Sequence, residues 1–150
     1  MRFSDLLSPD SVAAGLRTGS RRALLEALAQ LLVPEDQALA VLEALSEREG
    51  LGSTALGQGF ALPHGRCALL DRPRAAFIRL QKPIPYGAAD GQPVDLFAAL
   101  VTPSHFTTEH LSLLADIATR ASDPATLKRL RDANDASALY AELAEWGQLA

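Results

Sequence analysis

The sequence lacks the features that mark secreted and membrane-spanning proteins. It has one cysteine, Cys67, which excludes an internal disulfide and is typical of a reducing compartment. Charged residues, glycines or prolines interrupt each apolar run well before the roughly 20 residues that a membrane-spanning helix needs. An acid, Asp5, occurs at once and no long apolar stretch follows it, so neither a signal peptide nor a transit peptide is predicted. We therefore expect a cytoplasmic protein that does not insert into a membrane.

The chain also lacks an excess of positive charge. Its formal net charge is -4, which gives no general attraction to nucleic acid, and we predict no nucleic-acid partner. Its 150 residues, of which 48% are hydrophobic, are a common size for one domain with one core. Residues 1–150 are therefore predicted to form a single domain.

Periodic apolar residues predict helices on both sides of the middle of the chain. Ser20 caps a helix with a stripe of leucines, and a second helix has Pro34 in its first turn and ends at Gly50. Three more helices are expected to open at Thr107 or Thr108, at Asp123-Pro124, and at Asp135 or Ser137.

Two apolar runs between these helices, Ala75 to Leu80 and Val94 to Val101, are bounded by proline or glycine and predict buried strands. Helices that flank a central group of strands indicate the α/β class. We expect a single layered domain in which a central mixed β-sheet is flanked by helices.

A glycine-rich stretch without periodicity precedes the strands, between residues 50 and 65. Glycine has no Cβ, so such a segment lets backbone N–H groups approach a ligand closely. Ser53 and Thr54 add hydroxyls to it, and His64 stands near its end, between Pro63 and Gly65. These residues are candidates for binding an anion.

A second histidine, His110, falls in the first turn of the third predicted helix. Free N–H groups and the helix dipole favour negative charge there. If Thr107 is the N-cap, His110 is the third helical residue, and the positive helix end favours its neutral imidazole. Together, His64 and His110 point toward phosphate.

Phosphohistidine chemistry needs an uncharged ring nitrogen in line with phosphorus, and donors for the equatorial oxygens. His64 is the candidate nucleophile, with His110, Arg48, Ser53 and Thr54 as candidate donors. Two alternatives are open: histidines with only a structural role, and a zinc site formed by His64, His110 and His105. Cys67 and nearby acids complete no familiar ligand spacing, so we predict neither a metal nor another cofactor.

The segment that contains His64 resembles a known family. Residues 52–66 read GSTALGQGFALPHGR, which is similar to G-S-T-G-I-G-x-G-I-A-I-P-H-G, the active-site pattern of the fructose/mannitol-type EIIA family (EIIA type 2) of the bacterial sugar phosphotransferase system. The phosphorylated histidine of that family corresponds to His64. Two positions depart from the pattern: Ala55 replaces the usual glycine, and Phe60 replaces a smaller aliphatic residue. If position 55 required a positive φ, alanine would cost on the order of 1 kcal/mol.

Two further family positions match this sequence. The family's second active-site histidine, in the pattern H-L-x-L-L-x-x-I-A, corresponds to His110, and its active-site arginine, in an R-E pair, corresponds to Arg48 beside Glu49. The resemblance extends over nearly the whole chain. It implies a mixed sheet surrounded by helices and roles for His110 and Arg48 in phosphoryl transfer.

The resemblance also implies partners. In this family, phosphoenolpyruvate phosphorylates an enzyme I, which passes the phosphoryl group to an HPr-type carrier and from there to the IIA protein. We favour the nitrogen-related branch, in which a free-standing IIA controls regulated partner proteins, because the segment from Ser20 to Leu24 resembles that branch. The alternatives are a sugar-transport IIA that passes the group to a cysteine of a IIB domain, and a non-catalytic binding module with the same fold.

Overall fold

A computed structural model describes residues 1–147 of the chain and confirms the α/β class. Within these residues the strands are β1 (Val12–Leu16), β2 (Ala55–Gly57), β3 (Phe60–Ala61), β4 (His64–Arg66), β5 (Arg74–Ile84) and β6 (Val94–Thr102). The helices are α1 (Arg21–Leu32), α2 (Glu35–Gly50), α3 (Thr108–Ala121), α4 (Pro124–Asp132) and α5 (Ala136–Ala144). Short 3-10 helices span Phe3–Leu6, Pro9–Ser11 and Glu145–Gly147.

The strands form one mixed sheet in the order β1-β5-β6-β3-β2, with β4 also paired to β6. The central pair, β5 and β6, is antiparallel, whereas β1 is parallel to β5. Both β3 and β4 run parallel to β6, and β2 returns antiparallel to β3. This arrangement confirms the predicted mixed sheet.

Helices cover both faces of the sheet. Along β6, Phe97, Ala99 and Val101 pack in a cluster with α1 and α2, whereas Leu96 and Ala98 pack in a second cluster with α3, α4 and α5. Successive strand residues point to opposite faces, so both sets of β6 side chains are buried. This burial on two faces explains why β6, from Leu96 to Val101, reads as a continuous apolar run rather than as an alternating one.

Side-chain caps start three of the helices where the sequence predicts them. The Ser20 hydroxyl accepts a hydrogen bond from the Ala23 N–H at 3.1 Å. The carboxylates of Asp123 and Asp135 likewise accept from backbone N–H groups in the first turns of α4 and α5. Pro34 is the N-cap of α2 and not a first-turn residue. The predicted helix starts are therefore correct to within one residue.

The glycine-rich stretch contains regular structure that its missing periodicity does not indicate, because β2 and β3 lie in it and β4 begins in it. Phe60 pairs with Leu96 and His64 pairs with Leu100, so β3 and β4 follow the same side of β6. Between them, the Pro63 carbonyl accepts a hydrogen bond from Leu100 at 3.1 Å. All three strands are too short for a recognisable alternation; pairing with β6 determines β3 and β4, and β2 pairs with β3.

The two departures from the family pattern are both accommodated. Ala55 lies in β2, and its φ is not positive, so alanine is unstrained there. Among residues 1–147, the non-glycine residue with a positive φ is Gln58, at 56°. Phe60 is fully buried, with its ring centroid 6.1 Å from that of Phe77. Its larger side chain therefore contributes to the core.

No helix in the described part of the chain combines the length and the apolar character required to cross a membrane.

The turn between β2 and β3 generates a stability prediction. Gly59 has a φ of 77°, and a Cβ added there would lie 2.4 Å from Nη2 of Arg131 and 3.0 Å from Oδ1 of Asp95. That arginine nitrogen donates to both Asp95 and the Gln58 carbonyl. We expect Gly59→Ala to lower the free energy of unfolding in urea by about 1–3 kcal/mol, through backbone strain and displacement of Arg131.

Gly19→Ala is the matched control, because nothing lies within 4 Å of a Cβ added at Gly19 and its φ is not in the left-handed region. Equal losses of stability in the two variants would contradict this account of the turn.

Candidate active site

A pocket of about 310 Å³ lies between the end of α2, strand β4 and the start of α3. It contains both histidines for which the sequence predicts phosphate chemistry, together with the predicted arginine. The residues that line it are Ala44, Glu47, Arg48, Leu51, His64, Gly65, Arg66 and His110. Residues from three distant parts of the sequence therefore meet at one site.

A close backbone approach forms one wall of this pocket. Gly65 lies against α2, and a Cβ added to it would stand 3.0 Å from the Ala44 carbonyl oxygen. That separation is closer than side chains normally allow, so the approach depends on glycine. Arg48 follows Ala44 by one helical turn on the same face of α2, which brings it to the pocket beside His64.

His64 is half-buried, and one of its ring nitrogens is held by the backbone. Nδ1 lies 2.8 Å from the Leu62 carbonyl oxygen. Because a carbonyl can only accept, we assign the proton of the neutral ring to Nδ1, which leaves a lone pair on Nε2.

The surroundings of His64 favour this neutral ring. Burial lowers the pKa of His64 below its ordinary value of 6.5, and the nearby Arg48 lowers it further, while the bond to Leu62 and the charge of Glu49 oppose the shift. The net direction is downward, so the ring is uncharged near pH 7. An uncharged imidazole with an unprotonated Nε2 can act as a nucleophile.

His110 is 4% exposed and stands at the third position of α3, as predicted from Thr107 as the N-cap. Its Nδ1 lies 2.7 Å from Oγ1 of Thr102, and its ring centroid lies 5.7 Å from that of His64. The pKa of His110 falls from 6.5 to about 4, chiefly through burial, with contributions from His64 and Arg66. The expected direction is therefore correct, but burial, not the helix end, is its main cause.

Arg48 lines the pocket from the last turn of α2. Its Nη1 donates to the Gly52 carbonyl at 2.9 Å, which ties the side chain to the glycine-rich stretch. A guanidinium has five N–H donors, so this bond leaves others for a ligand.

The structure does not bring Ser53 and Thr54 into the group of pocket-lining residues. The Ser53 hydroxyl donates to the Tyr86 carbonyl, and the buried Thr54 hydroxyl donates to the Glu49 carboxylate. Each hydroxyl has a single proton, and both protons are directed to these acceptors. A role for the two hydroxyls in holding phosphate remains a prediction that this arrangement does not support.

Glu49 anchors the glycine-rich stretch to the end of α2 through two hydrogen bonds from Thr54. It is only 6% exposed, and its second carboxylate oxygen accepts from the Thr54 N–H at 3.2 Å. Burial, and next the charge of Glu49, raise the pKa of the Tyr86 hydroxyl well above its ordinary value. Glu49 therefore holds the start of β2 against the end of α2, where Arg48 emerges.

Sequence reasoning missed two residues of the site, Arg66 and Thr102. Arg66 lies two positions after His64, which would indicate a shared face once β4 is recognised as a strand. The signal for Thr102 is weaker, since a buried threonine at the end of an apolar run has no local mark of a bond to His110.

The remaining candidates from the sequence lie elsewhere. His105 is exposed, with its ring 4.8 Å from that of Phe106, and it is not a pocket-lining residue. Cys67 is buried. Within residues 1–147, no three histidine, cysteine, aspartate or glutamate side chains are grouped to hold a metal ion.

Comparison with known sequences finds similarity along nearly all of the chain. The family model described as "Phosphoenolpyruvate-dependent sugar phosphotransferase system, EIIA 2" matches residues 5–146. The nitrogen regulatory protein of Bradyrhizobium diazoefficiens is 38% identical over 146 residues, which are 96% of this chain and 95% of that protein. The nitrogen regulatory protein of Pseudomonas aeruginosa is also 38% identical, over 143 residues.

Solved structures have the same architecture. The crystal structure of nitrogen regulatory protein IIA-Ntr from Neisseria meningitidis matches with a TM-score of 0.88 and 36% identity, over 93% of this chain and 97% of that one. IIA mannitol from Escherichia coli matches with a TM-score of 0.75 at 18% identity, over 92% and 99%. The second likeness concerns the fold alone.

The low pKa values of the two histidines generate a prediction for stability against pH. The unfolded chain takes up protons on these rings as the pH falls through 6.5, whereas folded His110 resists protonation down to about pH 4. The unfolded state therefore binds more protons in this window, and stability falls as the pH is lowered. Between pH 7 and pH 5, we expect His110 to account for a loss of about 1–2 kcal/mol in urea unfolding.

The comparison variant is His110→Gln, with each protein measured against itself at the two pH values. Since the variant lacks this titrating group, its loss between pH 7 and pH 5 should be smaller than that of the wild type. Equal losses would mean that folded His110 titrates near its ordinary pKa.

Proposed function

The chain belongs to the EIIA type-2 family of the phosphoenolpyruvate-dependent sugar phosphotransferase system, and we propose that residues 1–150 form a single phosphocarrier domain of the nitrogen-related type. In this proposal, His64 accepts a phosphoryl group from an HPr-type carrier protein. The phosphorylation state of His64 then controls which regulatory partner protein the domain binds.

One observation carries the proposal: His64, whose Nδ1 lies 2.8 Å from the Leu62 carbonyl oxygen, lines one pocket together with His110 and Arg48. Phosphoryl transfer depends on the positioning of the nucleophile and on electrostatic stabilisation of the transferred group. This pocket supplies a positioned nucleophile and a fixed positive charge.

In the transfer step, the Nε2 lone pair forms a bond to phosphorus while the bond between phosphorus and the carrier breaks. The Nδ1 proton stays on His64, and the phosphorylated ring gains positive charge. The Leu62 carbonyl, 2.8 Å from Nδ1, stabilises that charge by accepting the N–H hydrogen bond. No proton has to leave the ring.

His110 is proposed to donate a hydrogen bond to the phosphoryl group. If the Thr102 hydroxyl donates to Nδ1 of His110, the proton of the neutral ring resides on Nε2. Thr102 is fully buried at the end of β6, so this bond orients the ring rigidly. The Nε2–H group of His110 is then a hydrogen-bond donor held in place on an uncharged ring.

The names and close similarity of the relatives support the nitrogen-related branch. Phosphorylation would place close to two negative charges at His64 and so change the electrostatic potential at the mouth of the pocket. Leu51 lines this pocket and is exposed, so a protein that docks there would meet the changed potential. The sugar-transport alternative requires transfer from His64 to a IIB cysteine. The binding-module alternative requires no phosphorylation at all.

The first experiment supplies labelled phosphoenolpyruvate, enzyme I and an HPr-type carrier of either the nitrogen or the sugar type. We expect acid-labile, base-stable label on the wild type and none on His64→Ala, because the variant lacks the nucleophile. His105→Ala is the matched control and should be labelled as the wild type is, since His105 is exposed and does not line the pocket.

Faster labelling by the nitrogen-type carrier would support the proposed branch. Faster labelling by the sugar-type carrier, followed by transfer to a IIB protein, would favour sugar transport. A wild type that stays unlabelled with both carriers would overturn the phosphocarrier proposal and leave the binding module.

A second prediction concerns His110. Removing its donor should slow the transfer at least about 10-fold or shorten the lifetime of the phosphorylated protein, because one fewer group stabilises the phosphoryl oxygens. His110→Ala should still be labelled on His64 at long times. Quench-flow labelling, with His105→Ala again as the control, measures the rate, and an unchanged rate and lifetime would assign His110 a structural role only.

A further inference from the structure

The guanidinium of Arg66, the last residue of β4, supports a further inference, which rests on the proposed phosphocarrier function. We propose that Arg66 is a further catalytic residue, whose N–H groups bind the non-bridging oxygens of the phosphoryl group during its transfer to and from His64. The juxtaposition of Arg66, His64 and His110 around one pocket is the basis of this assignment.

Strand geometry places Arg66 beside the nucleophile. His64 and Arg66 are two residues apart in β4, and alternate residues of a strand point to the same face. In the register with β6, Arg66 pairs with Thr102, the residue that holds Nδ1 of His110. Arg66 therefore lies near both histidines, and all three residues line the pocket.

The N–H donors of the Arg66 guanidinium are unused within the described part of the chain. Among residues 1–147, none makes a hydrogen bond or ion pair with Arg66, whose side chain is exposed. Other arginines are engaged: Arg131 pairs with Asp95 at 2.8 Å, and Arg79 donates to backbone carbonyls. Arg66 therefore keeps its donors for a ligand, whereas Arg48 already gives one to Gly52.

The charge of Arg66 already acts on the site. It contributes to the lowered pKa of His110, after burial and His64. The same positive field lowers the energy of a phosphoryl group, and a planar guanidinium matches two phosphoryl oxygens at once. Two cations, Arg48 and Arg66, face the pocket, and Glu47 is the acid among the residues that line it.

Arg66 exchanges no proton in the reaction. As the bond from Nε2 of His64 to phosphorus forms and the bond to the carrier breaks, the negative charge spreads over the three non-bridging oxygens. The guanidinium donates hydrogen bonds to these oxygens and remains protonated throughout. Its contribution is electrostatic and comes from its fixed place on a strand.

The test compares the Arg66→Met and Arg66→Lys variants with the wild type. At saturating carrier, we expect Arg66→Met to transfer the phosphoryl group about 10- to 100-fold more slowly, as for the loss of one preorganised donor. Arg66→Lys should recover part of the rate, because it keeps the charge but not the bidentate geometry. The half-life of the isolated phosphorylated protein, measured without any carrier, should also fall in Arg66→Met.

Arg72→Met is the matched control, since Arg72 is another exposed arginine and does not line the pocket. It should leave the rate, the half-life and the pKa of His110 unchanged. In Arg66→Met, an NMR titration should show the pKa of His110 rising, which reports the lost charge independently of activity. Because Arg66 is exposed, we expect the Arg66→Met protein to have the same circular dichroism spectrum as the wild type.

Two outcomes would overturn the inference. In the first, the wild type is labelled and Arg66→Met matches it in both rate and half-life. In the second, Arg66→Met raises only the KM for the carrier, which makes Arg66 a docking residue. A wild type that accepts no label is a different result, because it contradicts the proposed function itself.

Discussion

Where β4 meets α2, Gly65 lies so close to Ala44 that a single added Cβ would stand 3.0 Å from its carbonyl oxygen. The strand keeps this position because its other side pairs with β6, through His64 and Leu100 and through Arg66 and Thr102. Held between helix and sheet, β4 presents its alternate side chains to the pocket. The site therefore depends on the backbone contacts of β4, including the one at Gly65, which has no side chain itself.

Burial and fixed charge act together on the two histidines. Desolvation lowers the pKa of both rings, and the nearby cations Arg48 and Arg66 lower them further. A site that holds its rings neutral next to positive charge is suited to a group that brings negative charge with it. Hydrogen bonds to Leu62 and Thr102 orient the rings before any ligand arrives, so little reorganisation is needed on binding.

Features encoded by neighbouring residues were predictable. The helix starts at Ser20, Asp123 and Asp135 follow from side-chain caps that reach two or three residues along the chain. The two long strands follow from apolar runs whose burial needs no partner to be recognised. The short strands β2, β3 and β4 could not be predicted by such means, since two or three residues contain no periodicity. Pairing with the distant strand β6 determines β3 and β4, and β2 in turn pairs with β3.

The sequence by itself determined the class of the fold, the motif around His64 and the position of His110 in the first turn of α3. Only the tertiary structure decided which polar groups face the pocket. It directs the hydroxyls of Ser53 and Thr54 to Tyr86 and Glu49, and it brings Arg66 and Thr102 to the histidines. The physical reason is that a side chain's partner depends on distances between segments far apart in the chain, which local residue patterns do not encode.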